Sequence, residues 1–189
     1  MSPRLLYVAN AGSSSTISAF QVYDATGGLT PITGSPFPSG GSVSSLAFGG
    51  LFDEYLYAAS ATGGTAAIYG YGIGAQTILA GFPLALPSCT FIAADQTGAY
   101  LYATTGTDLF GYSIDATTGT LTALAGFPMA VGAEVRSVSI DPTNQFLYVA
   151  NGSAGTVTSY TFDAATGALT LIPGSPFAVG NSADYIATF

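Results

Sequence analysis

Glu134 and Arg136 are the residues of this chain best suited by type and spacing to handle a polar ligand; they lie in the segment AVGAEVRS, residues 130–137. A guanidinium can grip a carboxylate or a phosphate through paired N–H bonds. Residues two apart on an extended strand share a face, so Glu134 can also serve simply as the ion-pair partner of Arg136. A second polar group, Asn181, Asp184 and Tyr185, lies in AVGNSADY, residues 178–185. These five are the candidate ligand-binding residues. No catalytic residue is expected. The chain has no His, so Ser-His-Asp and Cys-His arrangements are impossible. The one cysteine, Cys89, cannot form an internal disulfide or a thiolate zinc site and reads as a small buried hydrophobe. No loop carries the dense alternating Asp of a calcium site, and YGYGIG (69–74) lacks the Lys and the helix of a phosphate loop. No metal and no cofactor is expected.

Other polar residues read as structure. Asp24, Asp115 and Asp163 each open the same hairpin and are followed by Gly27, Gly119 and Gly167. Asp accepts backbone N–H bonds in such turns and Gly takes positive φ. Asp53 and Glu54 adjoin each other and are expected on opposite strand faces, too far apart for shared acid–base work. Asn10 and Asn151 are expected to cap the loops that follow them. NGS at 151–153 fits a glycosylation sequon, a pattern with many chance matches.

The elements that must position these residues are repeated. LLYVAN at 5–10 returns as YLYAAS (55–60), YLYATT (100–105) and FLYVAN (146–151), and the Leu-Tyr pair steps by 50, 45 and 46 residues. GSPF at 34–37 and 174–177 is matched by GFP at 81–83 and 126–128. Each unit reads as four short strands. RSVSID (136–141) is a first strand, DPTNQ a turn, FLYVAN a second strand, TVTSYTFD (156–163) a third and ALTLIP (168–173) a fourth, outer strand ended by Pro173. Four antiparallel strands at a period of about 45 residues define a β-propeller blade. The fold expected is therefore all-β, a single domain over 1–189 of four four-stranded blades. Their approximate bounds are 1–42 plus 183–189, 43–88, 89–134 and 135–182. One blade combines N-terminal strands with the C-terminal strand ADYIATF (183–189). An unpaired edge is an aggregation hazard, so closure is expected either within the chain, as a four-bladed ring, or between two chains, as an eight-bladed ring. The two-chain ring is favoured, because four blades demand about 90° of turn per blade. The loops before each first strand, 130–137 and 178–185 among them, would then line the central mouth.

Composition narrows the partners. Lys plus Arg number 2, Asp plus Glu number 10, and the net charge is −8. So few cations make nucleic acid and anionic membranes poor partners. The uncharged stretch 55–94 is interrupted by Gly63, Gly64, Gly70, Gly72, Gly74, Pro83 and Pro87, which argues against a membrane helix. MSPRLLYVAN has no apolar core of signal-peptide length.

The residues LYVAN…TVTSYTFDAATGALTLIPGSPFAVG resemble the repeats of lactonase-type β-propellers, the group that includes 6-phosphogluconolactonase-like proteins and surface-layer YVTN repeats. The resemblance covers essentially the whole chain, best in 1–48 and 99–189. It implies rings of seven blades, of which this chain holds four, and an extracellular or periplasmic setting. It also implies enzymes that use His, Arg and Glu in a polar pocket. Without His, the chain is expected to be a non-enzymatic, self-assembling propeller module, a scaffold or weak binding surface whose partner is a second copy of itself. The alternatives are a small-molecule or sugar-binding propeller with its site at the central mouth and a lactonase-like hydrolase fragment.

Overall fold

Each Leu-Tyr pair sits in the strand that carries its sheet. In a computed structural model, which describes residues 4–10, 15–62, 66–132 and 134–189, the chain folds into four antiparallel sheets and no helix. The first blade holds β1 (Arg4–Asn10), β2 (Thr16–Val22), β3 (Leu29–Pro31) and β4 (Phe37–Pro38). The second holds β5 (Ser42–Gly49), β6 (Tyr55–Thr62), β7 (Ala67–Gly72) and β8 (Leu84–Ala85). The third holds β9 (Phe91–Ala94), β10 (Tyr100–Thr104), β11 (Asp108–Ile114), β12 (Leu121–Ala123) and β13 (Met129–Ala130). The fourth holds β14 (Val135–Ile140), β15 (Phe146–Asn151), β16 (Thr156–Phe162), β17 (Leu169–Leu171) and β18 (Phe177–Ala178). The all-β propeller fold read from the repeats is the fold observed.

The outer strand differs from its expectation. It does not stop at the proline turn but is made in two halves. In the fourth blade β17 and β18 both pair with β16, one on each side of the Gly-Ser-Pro turn. The turn lifts the chain off the ladder and returns it, which is tolerable only on an edge strand. The serine of that turn substitutes for a ladder partner: Ser159 N–H donates to Ser175 Oγ and Ala19 N–H donates to Ser35 Oγ, each at 2.8 Å. Blades two and three carry Phe82 and Phe127 instead, packed over Gly70 and Gly111, where a Cβ would come within 2.7 and 2.8 Å of the rings.

The core lies between blades. Tyr57, Ile68, Ile92 and Leu101 pack between the second and third; Tyr102, Leu109, Val138, Leu147 and Val149 pack between the third and fourth. A side chain of this size, fully buried, contributes on the order of 1.5–3 kcal/mol. The strand-two tyrosine adds a polar staple. Tyr57 Oη donates to the carbonyl of Gly119 (2.7 Å), and Tyr102 Oη donates to that of Gly167 (2.6 Å), in each case the hairpin of the next blade. Those glycines have φ of +69° and +70°, and a Cβ on either would lie 2.6 Å from Tyr55 or Tyr100. Gly is thus required twice, by conformation and by contact. The Asp of the same hairpin does the turn chemistry expected of it. Asp115 accepts from the N–H groups of Thr117 and Thr118, and Asp163 from that of Ala165.

The first and last segments do not close one blade within the chain. Residues 183–189 form no ladder, and no hydrogen bond among the described residues joins them to β1. They run instead beside β14. Ile186 N–H donates to Ser137 Oγ (3.4 Å) and Thr188 Oγ1 donates to the carbonyl of Ile140 (2.8 Å). This repeats the contact between the inner strands of blades two and three, where Ile92 N–H donates to Ser45 Oγ (3.3 Å). Folding back to β1 at four blades would need about 90° of turn at every step. The segment lies where the inner strand of the next blade belongs.

Candidate functional site

The inner strands β5, β9 and β14 and the segment 183–188 stand side by side and form the inner face of the arc of blades. A cavity of about 380 Å³ is lined there by Leu46, Phe91, Ile92, Val138, Tyr185 and Ile186, among others. Ladder register makes Ser44, Thr90 and Arg136 equivalent positions at one end of this face, and the Ile186 contact with Ser137, which repeats that of Ile92 with Ser45, puts Asp184 in the same row. Two of them are neutral, one is a cation and one a carboxylate.

Arg136 is there because β14 is irregular. Val135 pairs with Asn151 and Ser137 with Ala150, so Arg136 is the extra residue of a β-bulge. A bulge bends the strand and re-aims the side chain it carries. Two residues earlier Glu134 has φ +54°, a left-handed conformation that costs a non-glycine residue energy. Together the two irregularities bring Arg136 Nη2 to 3.7 Å from Glu134 Oε2. Both side chains remain about half exposed, 54% and 56%, so the pair adds little to stability. It borders a cavity of about 290 Å³ whose other walls are Thr90, Gly106 and Val135.

The remaining sequence candidates are not brought to this pair. Asp184 accepts from Ser182 Oγ (2.9 Å), and no ion pair to Arg136 forms. Tyr185 is 72% exposed and meets Phe91 edge-on at 5.9 Å. Asn181 is exposed and lines neither cavity. Cys89 is fully buried, and burial pushes its thiol up to about 12, which removes it as a nucleophile. Asn151 does not cap the loop that follows; its amide donates across the ladder to Thr156 and Thr158. The amide of Asn10 donates to Thr16 and Ser18, and the loop it was expected to cap lies outside the described residues. Asp53 and Glu54 are not on opposite faces of a strand. Asp53 sits in a turn with φ +57°, and both line a cavity of about 640 Å³ with Leu6, Phe48 and Phe52. Thr90 ends the loop 84–90, one of those the sequence places at the mouth; Gly106 was not evident there, because only the fold brings it beside Arg136.

Successive four-stranded antiparallel sheets packed face to face, with their inner strands side by side, define the blades of a β-propeller. The model of the lactonase seven-bladed β-propeller family matches residues 87–183, just over half of the chain, and the chain belongs to this family. No curated protein matches it. Among solved structures it is similar to a candidate 6-phosphogluconolactonase from Bacteroides fragilis, at 22% identity and a TM-score of 0.73, over 95% of this chain and 53% of that one. A second candidate 6-phosphogluconolactonase, from Bacteroides uniformis, matches at 17% identity and a TM-score of 0.69, over 92% and 53%. A protein of unknown function from Desulfotomaculum acetoxidans matches at 18% and 0.66, over 95% and 56%. At these identities the likeness is one of fold. The chain spans about half the length of the structures it matches.

The expectation of a non-enzymatic module is corrected by this family, which is named for a hydrolase. The inference from the missing His reached too far. It removes imidazole chemistry, but a carboxylate can act as a base and a guanidinium can steady a developing oxyanion without it.

Proposed function

We propose that these blades form part of a lactone hydrolase whose site is the channel mouth at Glu134 and Arg136. The observation that carries the reading is the pair itself. A bulge and a left-handed residue, both costly, set a base and a cation 3.7 Å apart beside a cavity of about 290 Å³. That volume is near the lower end for small-molecule sites, roughly 300 Å³, and suits the ring of a sugar-acid lactone. Family membership supports the same reaction class.

In this reading the lactone carbonyl oxygen faces the Arg136 guanidinium. Glu134 takes a proton from a water as the water oxygen bonds to the carbonyl carbon and the π electrons move to the carbonyl oxygen. Collapse of that adduct re-forms the carbonyl and breaks the ring C–O bond. The ring oxygen leaves as a hydroxyl, carrying the proton returned by Glu134.

Hydrolysis of glucono-δ-lactone, followed by acid release at constant pH, tests this. Turnover above the buffer rate is expected, with a loss of about 10²-fold in both Glu134→Gln and Arg136→Ala. Turnover equal to buffer, or unchanged in either variant, overturns it.

A further inference from the structure

Arg136 lies on a seat made by a missing side chain. Gly152 opens the turn after β15, and its backbone runs beside the arginine. A Cβ on Gly152 would lie 2.8 Å from Arg136 Cγ, 2.9 Å from its Nε and 3.3 Å from the Glu134 carbonyl oxygen. Ordinary van der Waals contact begins at 3.4 Å, so the arginine occupies the volume that any other residue would need here. Conformation does not ask for this glycine, since Gly152 is not among those of positive φ.

The other blades show that the position itself accepts a side chain. Val43 pairs with Ser60 as Val135 pairs with Asn151, so Ala61 holds the place of Gly152 and Ser44 that of Arg136. In blade three Gly106 and Thr90 hold the two places, and a Cβ on Gly106 would meet nothing within 4 Å. Of these three blades, only the fourth fills the space with a neighbour's side chain.

The backbone there is held. Gly152 N–H donates to the Glu134 carbonyl (2.9 Å), and the Gly152 carbonyl accepts from Gly155 N–H (3.1 Å). On the other side of Glu134, Val135 N–H donates to the Gly106 carbonyl (3.1 Å). The same glycine therefore fixes the main chain of Glu134 and the side chain of Arg136. Asn151 beside it is 2% exposed with its amide bonded to Thr156 and Thr158, so the NGS pattern offers no free amide to a glycan.

We propose that Gly152 is a positioning residue of this site. Its bare backbone seats the stem of Arg136 and aims the guanidinium at the cavity of about 290 Å³, in one frame with Glu134. Arg136 is about half exposed, and a long side chain in that setting otherwise keeps many rotamers. Held in one place, it meets a developing charge without first being ordered. What the guanidinium does there rests on the hydrolase reading; the seat does not.

Gly152→Ala in the full chain tests it, because the Cβ displaces Arg136 without a left-handed penalty. With glucono-δ-lactone, kcat should fall about tenfold and KM stay within about twofold, since the displaced group acts in the transition state. On an Arg136→Ala background the space is empty, so the same substitution should lower neither kcat nor the denaturation midpoint further. An unchanged kcat in Gly152→Ala overturns the proposal, as does a further loss of either kind on that background. Turnover equal to buffer in the parent overturns the hydrolase reading alone, and the seat is then read by NMR. The parent should show a nuclear Overhauser contact between Arg136 Nε–H and Gly152 Hα, and Gly152→Ala should move the Nε–H signal. No contact, or a signal that stays in place, overturns the proposal.

Discussion

The junction of blades three and four and the two sides of blade one are built from the same residues in different company. At the junction Tyr102 is fully buried, its hydroxyl spends itself on Gly167, and Phe162 and Phe127 crowd its ring. In blade one Tyr7 holds the same strand position, but its hydroxyl is buried with no partner, and burial raises its pKa. One blade on, blade two replaces the Asp-to-Gly hairpin with GIGAQ (72–76), where Gln76 at φ +52° holds the position of Gly119 and Gly167 and the Tyr7 hydroxyl makes no bond to it. On its other side, blade one carries the hairpin with Gly27, and a Cβ there would meet nothing within 4 Å among the described residues. A repeat is therefore not a unit of stability. The staple belongs to the pair of blades, and it exists only where both halves are present.

Substitutions can pull this difference apart. The largest effect is expected at the glycines. Gly167→Ala must bear a left-handed Cβ, about 1–2 kcal/mol, and in addition the Tyr100 ring 2.6 Å away. Gly27→Ala bears the first cost only, so in dilute solution its denaturation midpoint should fall less. Equal losses would mean that the contact with the neighbouring blade adds nothing. A smaller difference is expected at the tyrosines. Tyr102→Phe leaves the Gly167 carbonyl without its donor and should lower stability by about 1–2 kcal/mol. Tyr7→Phe removes a buried hydroxyl that has no partner and should be neutral or stabilising. The same denaturation series checks the sign.

The smallest effect concerns the turn carboxylates. Thr118 and Thr117 lower the Asp115 pKa through side-chain and backbone hydrogen bonds, and the Ala165 N–H with Thr166 does the same for Asp163. A carboxyl held lower in the folded chain than in the unfolded one contributes stability above its unfolded pKa of about 4. That stability is lost as pH falls through the folded value. Asp163→Asn should slightly lower the melting temperature at pH 7 and narrow its gap from the parent below pH 4. A gap that widens in acid would reverse the sign.

Much of this was legible as sequence because it depends on local chemistry. The Leu-Tyr pairs mark strand two, and Asp with Gly marks the hairpin, since turn residues act on their own backbone. What depends on register was not. No residue type announces a bulge, so Arg136 reads as an ordinary strand position beside Val135 and Ser137. Glu134 at φ +54° carries no compositional trace either. Tyr102 and Gly167 were both visible as repeats, but 65 residues separate them, and only the packing of adjacent blades joins them. The split outer strand was hidden for a related reason. Pro173 reads as a stop, and the return of Phe177 to Val157 is a tertiary event.

The central claim is that the tyrosine staple belongs to a pair of blades, a hydroxyl on one and a hairpin glycine carbonyl on the next. A double-mutant cycle of Tyr102→Phe and Gly167→Ala, read by chemical denaturation, tests it most directly. The account predicts that the two losses fall short of additivity by about 0.5–3 kcal/mol, because both remove the same contact. Strictly additive losses would contradict it.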